Sequence, residues 1–242
     1  MIDTHAHLGD DAGEVLERAR TAGVHRVIEV ATSVEGARAT LDRAERNDDV
    51  YACLGVHPHE AGKPADLNEL RRLLDHPKAV AVGETGLDYF RDYAPHDAQQ
   101  RLFDAQLALA REVGKPVVIH TRAADDDTRA QLVAHDGVVV LHCFSSPPLI
   151  DAALEHGWYV SFAGNVTYKN AHDLRSAAYA VPAERLLAET DSPYLAPVPR
   201  RGKPNEPANV VHTVAALAHA RNADPDELAA QIEANALRCF GL

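Results

Sequence analysis

Ile2-Asp3-Thr4-His5-Ala6-His7 opens the chain. An apolar start is followed by histidines at alternate positions. In an extended strand, residues two apart face the same way, so His5 and His7 stand side by side, close enough to hold one metal ion. Two histidines near an N-terminus prove little alone. They gain meaning from the rest of the chain: a strand that carries ligand-type groups at its C-terminal end, then a helix, and the same alternation about eight times.

Strand-type segments are expected at residues 2–7, 24–31, 50–56, 79–83, 117–120, 138–141, 158–162 and 186–188. Between them lie stretches with apolar residues at helical spacing, such as Val15, Leu16 and Ala19, or Leu67, Leu70, Leu73 and Leu74. Ser33 and Asp224 are N-cap residues, and Pro225 suits a first helical turn. Two helices, about residues 208–221 and 225–236, close the chain. Eight strand–helix units in 242 residues predict an α/β protein, a single-domain (β/α)8 TIM barrel over residues 1–242, a fold of roughly 250 residues. An open doubly wound sheet is the rival. It usually carries a Gly-rich phosphate turn after its first strand, and none is present here.

Composition narrows the class. No apolar run reaches the roughly 18 residues of a membrane span, and Asp3, His5 and His7 interrupt any signal-peptide core. A cytoplasmic protein without a membrane partner is expected. Cys53, Cys143 and Cys239 are odd in number and widely spaced, which excludes a disulfide framework and a Cys-x-x-Cys zinc pattern. The net charge of −12 argues against holding long duplex by charge alone. Oligomeric state stays open, a monomer included.

The predicted strand ends carry His5 and His7, Glu84, His120, His142 and Asp191. In a barrel these ends converge on one mouth, where catalytic groups of the fold lie. Singly, His120 or His142 reads as a buried, hydrogen-bonded histidine, and Glu84 or Asp191 as a loop carboxylate. Jointly they exceed what one metal needs. Two divalent ions about 3.5–4 Å apart are expected, His5, His7 and Asp191 on one, His120 and His142 on the other, with Glu84 between. Imidazole-rich ligation favours zinc, manganese, nickel or iron over magnesium.

The pieces Asp3-Thr4-His5-Ala6-His7, Gly55-Val56-His57-Pro58-His59, Gly83-Glu84-Thr85-Gly86-Leu87-Asp88, His120-Thr121-Arg122, His142-Cys143-Phe144-Ser145, Glu189-Thr190-Asp191-Ser192-Pro193-Tyr194-Leu195 and Arg201-Gly202-Lys203-Pro204-Asn205-Glu206-Pro207 occur in this order along nearly the whole chain. Together they resemble the TatD family of metal-dependent deoxyribonucleases, among the amidohydrolase-like barrels. One departure is Ser146, where the family usually has glycine. The resemblance places the family's metal ligands on the same six residues and suggests activity with magnesium or manganese. Many amidohydrolases carry a carboxylated lysine where this chain has Glu84, which favours the nuclease branch.

The expected reaction is therefore phosphodiester hydrolysis. Asp191 is the candidate to orient water and take its proton, Glu84 bridges the ions, and His57 is placed to touch the phosphate or the leaving oxygen. Arg122 is a candidate for a flanking phosphate, with a salt bridge to Glu84, Asp88 or Asp125 as its alternative. Arg201 and Lys203, with Arg200, form a dense basic cluster and are assigned to the nucleic-acid backbone. Tyr194 and Phe144 are candidates for base stacking. The expected partner is single-stranded or 3′-ended DNA, cut exonucleolytically. The alternatives are another ester or amide hydrolysis, such as D-aminoacyl-tRNA deacylation, and a non-catalytic metal-binding protein.

Overall fold

The computed structural model describes residues 1–242. Its elements run β1 (Ile2–Ala6), α1 (Ala12–Thr21), β2 (Arg26–Val30), α2 (Val34–Arg46), β3 (Val50–Leu54), α3 (Leu67–Leu74), β4 (Ala79–Asp88), α4 (His96–Val113), β5 (Val117–Arg122), α5 (Asp125–Val133), β6 (Val139–Leu141), α6 (Ile150–His156), β7 (Tyr159–Phe162), α7 (His172–Ala180), β8 (Leu186–Ala188), α8 (Val210–Arg221) and α9 (Pro225–Phe240). The eight strands form one parallel sheet in chain order. The expected (β/α)8 barrel is what the chain forms. No helix is long and apolar enough to cross a membrane, and all three cysteines are free.

Local chemistry sets the helix ends. The Ser33 hydroxyl accepts from the Gly36 amide, and the Asp66 and Asp224 carboxylates each accept two amides of the adjoining first turn. Inside the barrel, Ile2, Ile28, Val80, Val118, Val140 and Leu187 pack together, and Cys239 and Phe240 of α9 close the N-terminal end.

Two strands depart from simple alternation. In β1, Asp3 pairs with Val27 but Ala6 with Glu29, so β1 carries one extra residue. Ile2 therefore faces the barrel interior while Ala6 packs in the outer layer under the helices. The bulge rephases the strand so that His5 and His7 share the interior face. In β4, Val82 pairs with Val117 and Thr85 with Ile119, again one residue too many. The strand does not end at Gly83 as expected but continues to Asp88. Gly86 permits this: a Cβ there would lie 2.0 Å from the His120 carbonyl oxygen.

The barrel closes without a regular β8–β1 ladder. The segment after β8 does the work instead. The Asp191 amide donates to the His5 carbonyl at 2.9 Å and the His7 amide to the Ser192 carbonyl at 2.8 Å. The Thr190 amide and hydroxyl both donate to the buried Asp3 carboxylate, at 2.8 and 2.5 Å.

Candidate metal centre

Glu84 stands at the middle of the mouth, put there by the bulge in β4. Its Oε2 faces His5 Nε2 at 3.6 Å and His7 Nε2 at 4.0 Å. Its Oε1 faces His120 Nδ1 at 2.8 Å, His142 Nε2 at 3.1 Å and His57 Nε2 at 3.4 Å. Asp191 Oδ1 lies 3.7 Å from His7 Nε2. The six residues picked out as ligands meet at one place, and His57 joins them. The left-handed backbone of Asp191, φ 54°, turns its side chain toward this centre from the irregular segment after β8.

Behind the histidines stands a set of acceptors that the sequence did not reveal. Glu189 Oε1 accepts from His142 Nδ1 at 2.8 Å and from the Cys143 amide at 2.9 Å. Asp88 Oδ2 lies 3.2 Å from His120 Nε2 and 2.9 Å from His59 Nε2, while its Oδ1 accepts the Phe90 and Arg91 amides. The Val30 carbonyl accepts from His7 Nδ1 at 3.0 Å. Each acceptor orients its ring through one nitrogen and turns the other toward Glu84. His120 offers Nδ1, whereas His142 and His7 offer Nε2. Asp88 and Glu189 were visible as acidic residues inside the strand-end motifs, but nothing in the spacing says that they back a histidine.

The electrostatics follow from burial and crowding. Burial alone would push the Glu84 carboxyl up, but His57, His142 and His120 outweigh it and hold it well below the usual carboxylate range. Burial pushes His142 down, and Glu189 and Glu84 reverse this and raise it well above its ordinary value. Burial lowers His5 to about 4, with His142 adding to the effect. Burial lifts Asp191 to about 6 against the pull of His142 and His7.

The donors fit divalent cations. His5 is completely buried, yet neither ring nitrogen has a hydrogen-bond partner, which is uncommon for a buried polar group. Nitrogen and carboxylate oxygens of His5, His7 and Glu84 lie within 4.8 Å of one another, as do those of His57, Glu84 and His120. Cys143 joins His142 and Asp191 in a third such group, a neighbour not picked out from the sequence.

The mouth is a cavity of about 940 Å³ lined by these residues, the fully buried His5 excepted, and by Arg91, Tyr93, Arg122 and Tyr194. Arg122 and Tyr194 thus line the mouth. Arg122 makes none of the expected salt bridges; its guanidinium lies over the Phe90 ring at 4.0 Å. Arg201 and Lys203 do not line the mouth. Arg201 lies over Tyr168 at 4.1 Å, and both basic residues are solvent-exposed. Phe144 is buried against Phe162 and cannot stack on a base. Charge density along a sequence does not tell which way a loop faces. Ser146 has φ −117°, a conformation open to any residue, so its replacement of glycine leaves the backbone unstrained.

An eight-stranded barrel with a His/Glu/Asp cluster able to hold metal at its mouth defines a metal-dependent hydrolase. The chain belongs to the TatD family: the family described as TatD related DNase matches residues 2–241. It is 40% identical over 260 residues to the Uncharacterized metal-dependent hydrolase TatD of Mycobacterium tuberculosis, covering 100% of this chain and 98% of that protein. It is 36% identical over 250 residues to the 3′-5′ ssDNA/RNA exonuclease TatD of Klebsiella pneumoniae, covering 99% and 95%. The crystal structure of YjjV, a TatD homologue from Escherichia coli K12, superposes with a TM-score of 0.93 at 34% identity, over 100% of this chain and 98% of that one.

Proposed function

We propose that the protein is a two-metal phosphodiesterase that removes nucleotides from the 3′ end of single-stranded DNA or RNA. The observation that carries this reading is the division of Glu84: one carboxylate oxygen faces His5 and His7, the other His120 and His142. His5, His7 and Asp191 would hold one cation, His120 and His142 the second, with Glu84 shared. Such a pair, when bound, supplies Lewis acidity to a phosphoryl oxygen and makes water acidic enough to attack near neutrality. The exonuclease name of the Klebsiella relative supports nucleic acid as the substrate.

The chain's own groups then have separate tasks. Asp191 orients the attacking water and accepts its proton. His57 Nδ1 accepts the His59 amide at 3.1 Å, so its proton resides on Nε2, the nitrogen aimed into the centre. Burial lowers its pKa, and the neutral ring donates a hydrogen bond to the phosphate or the leaving oxygen. Arg122 meets a flanking phosphate. Zinc, manganese or magnesium would suit the site.

The test is a substrate panel of single-stranded DNA, single-stranded RNA, blunt duplex and D-aminoacyl-tRNA, with and without chelator. Single-strand cleavage that chelation abolishes and divalent metal restores is expected. Preferential deacylation of D-aminoacyl-tRNA, or steady cutting of circular single strands, would replace the proposed substrate.

A further inference from the structure

We propose that the β4–α4 loop and the end of β5 form a track for the body of a single nucleic-acid strand, while Tyr194 across the mouth receives its 3′-terminal nucleotide. The inference rests on the phosphodiesterase reading and adds the direction in which the strand lies.

The first observation is where aromatic surface is exposed. Four aromatic residues count among the exposed large apolar side chains, Phe90, Tyr93, Tyr179 and Tyr194, and three of them, Phe90, Tyr93 and Tyr194, belong to the mouth loops, at 61%, 65% and 63% exposure. They do not crowd together. The Tyr194 ring lies 6.2 Å from His7, on the Oε2 side of Glu84. The Tyr93 ring lies 4.8 Å from His59, on the Oε1 side. Exposed rings at both ends of a polar cleft suit bases that have lost their partners, since stacking needs only a free π-face. Paired bases cannot offer that face without unstacking.

The second observation is the asymmetry of charge. The cations that line the mouth are Arg91 and Arg122, both exposed and both on Tyr93's side. Phe90 supports Arg122 from beneath, its ring 4.0 Å from the guanidinium. Glu60, the rim carboxylate on this side, is paired with Lys63 at 2.6 Å. No lysine or arginine lines the Tyr194 side. A terminal nucleotide brings only the scissile phosphate with it. The body of the strand brings a phosphate at every step and belongs where the guanidinium groups are.

The third is the chemistry of release. Water adds to phosphorus, the bond from phosphorus to O3′ breaks, and O3′ leaves on the body of the strand and takes up a proton. The terminal nucleotide departs with its 5′-phosphate. In-line displacement puts the attacking and leaving oxygens on opposite sides of phosphorus. Asp191, which orients the water, is beside His7. His57 Nε2, a donor for O3′, is on the Oε1 side. The leaving oxygen and the body attached to it therefore lie toward His57, His59 and Tyr93. Rings, charges and leaving group all give the same direction.

The experiment uses the metal-loaded protein and thymidine or uridine oligomers of three and ten nucleotides. Binding is followed by fluorescence anisotropy against salt, on oligomers whose last linkage is a non-hydrolysable phosphonate; cleavage is followed on ordinary oligomers. Replacing Arg91 and Arg122 together (Arg91→Ala with Arg122→Ala) is expected to lower the log–log salt slope for the longer oligomer by about 1.4, two phosphate contacts at about 0.7 each. Its advantage over the trinucleotide in kcat/KM should shrink with it. Tyr93→Ala should weaken the longer oligomer by about fivefold to a hundredfold and the trinucleotide less, whereas Tyr194→Ala should weaken both alike. The direction is overturned if Arg201→Ala with Lys203→Ala carries the salt slope instead, or if the released nucleotide bears a 3′-phosphate. Oligomers bound with this pattern but never cut would sink the phosphodiesterase reading and leave the track. Oligomers cut with no change in length dependence for the arginine variants would do the reverse.

Discussion

The two oxygens of Glu84 face half-sites built in different ways. On the Oε1 side, His120 and His142 are each held from behind by a carboxylate, Asp88 and Glu189. On the Oε2 side, His5 has no hydrogen-bond partner at either nitrogen, and Asp191 comes from the irregular segment that closes the barrel against β1. One half is organised by the chain itself. The other holds His7 through the Val30 carbonyl but leaves His5 and Asp191 to be oriented by what they bind. Buried polar groups are costly without partners, so the Oε2 side gains more from a cation, and the Oε1 side is better prepared to receive one first.

Removing the shared group strikes both halves and has the largest effect. Glu84→Ala should lower kcat by about a thousandfold and reduce bound metal to less than one ion per chain by elemental analysis. An Oε1-side cation held at undiminished affinity would refute the bridging role. Asp191→Asn removes a donor proposed for the Oε2-side cation and leaves Glu84 in place. Its kcat should fall by about a hundredfold, while the Oε1-side histidines keep their cation. Near-normal turnover with both metals bound would show that another group takes the proton.

The barrel was legible in the sequence because it rests on periodicity, and His5, Glu84, His120, His142 and Asp191 were legible because strand ends can be counted. The bulges in β1 and β4 were not. A single extra residue between Asp3 and Ala6 decides which side chains face inward, yet it leaves the apolar pattern almost unchanged. Asp88 and Glu189 were hidden for another reason: their partners are 32 and 47 residues away in the chain, and no local spacing encodes the contact. Arg201 and Lys203 looked like the backbone-binding cluster because they are dense in sequence. Arg91 and Arg122 hold the mouth because the β4 bulge and β5 carry them there.

The carboxylates behind the histidines give a smaller test of the same contrast. Asp88→Asn and Glu189→Gln should each weaken binding of the Oε1-side cation by about ten- to a hundredfold, measured by competition with a chromogenic chelator. Affinity on the Oε2 side should change less. Equal losses on both sides would mean that the two halves are one rigid unit, with no difference in how they are organised.

The smallest effect is on stability, and its sign differs between the halves. In metal-free protein His5 has its pKa lowered to about 4 by burial, against about 6.5 in an unfolded chain. The unfolded chain binds more protons between these values, so the stability His5 contributes is present above about 6.5 and is lost as pH falls toward 4. His142 is raised well above its ordinary value by Glu189 and Glu84, which outweigh its burial. Its contribution is fully present below about 6.5 and is lost as pH rises through that raised pKa. Taking differences from wild type cancels the other titrating groups to first order. The Tm advantage of wild type over His5→Asn, in chelator, should therefore shrink on acidification from pH about 7 to about 4.5, within the interval set by those two pKa values. The advantage over His142→Asn should shrink in the opposite direction, as the solution is made alkaline. Parallel trends for the two variants would mean that the histidines on either side of Glu84 share one electrostatic environment.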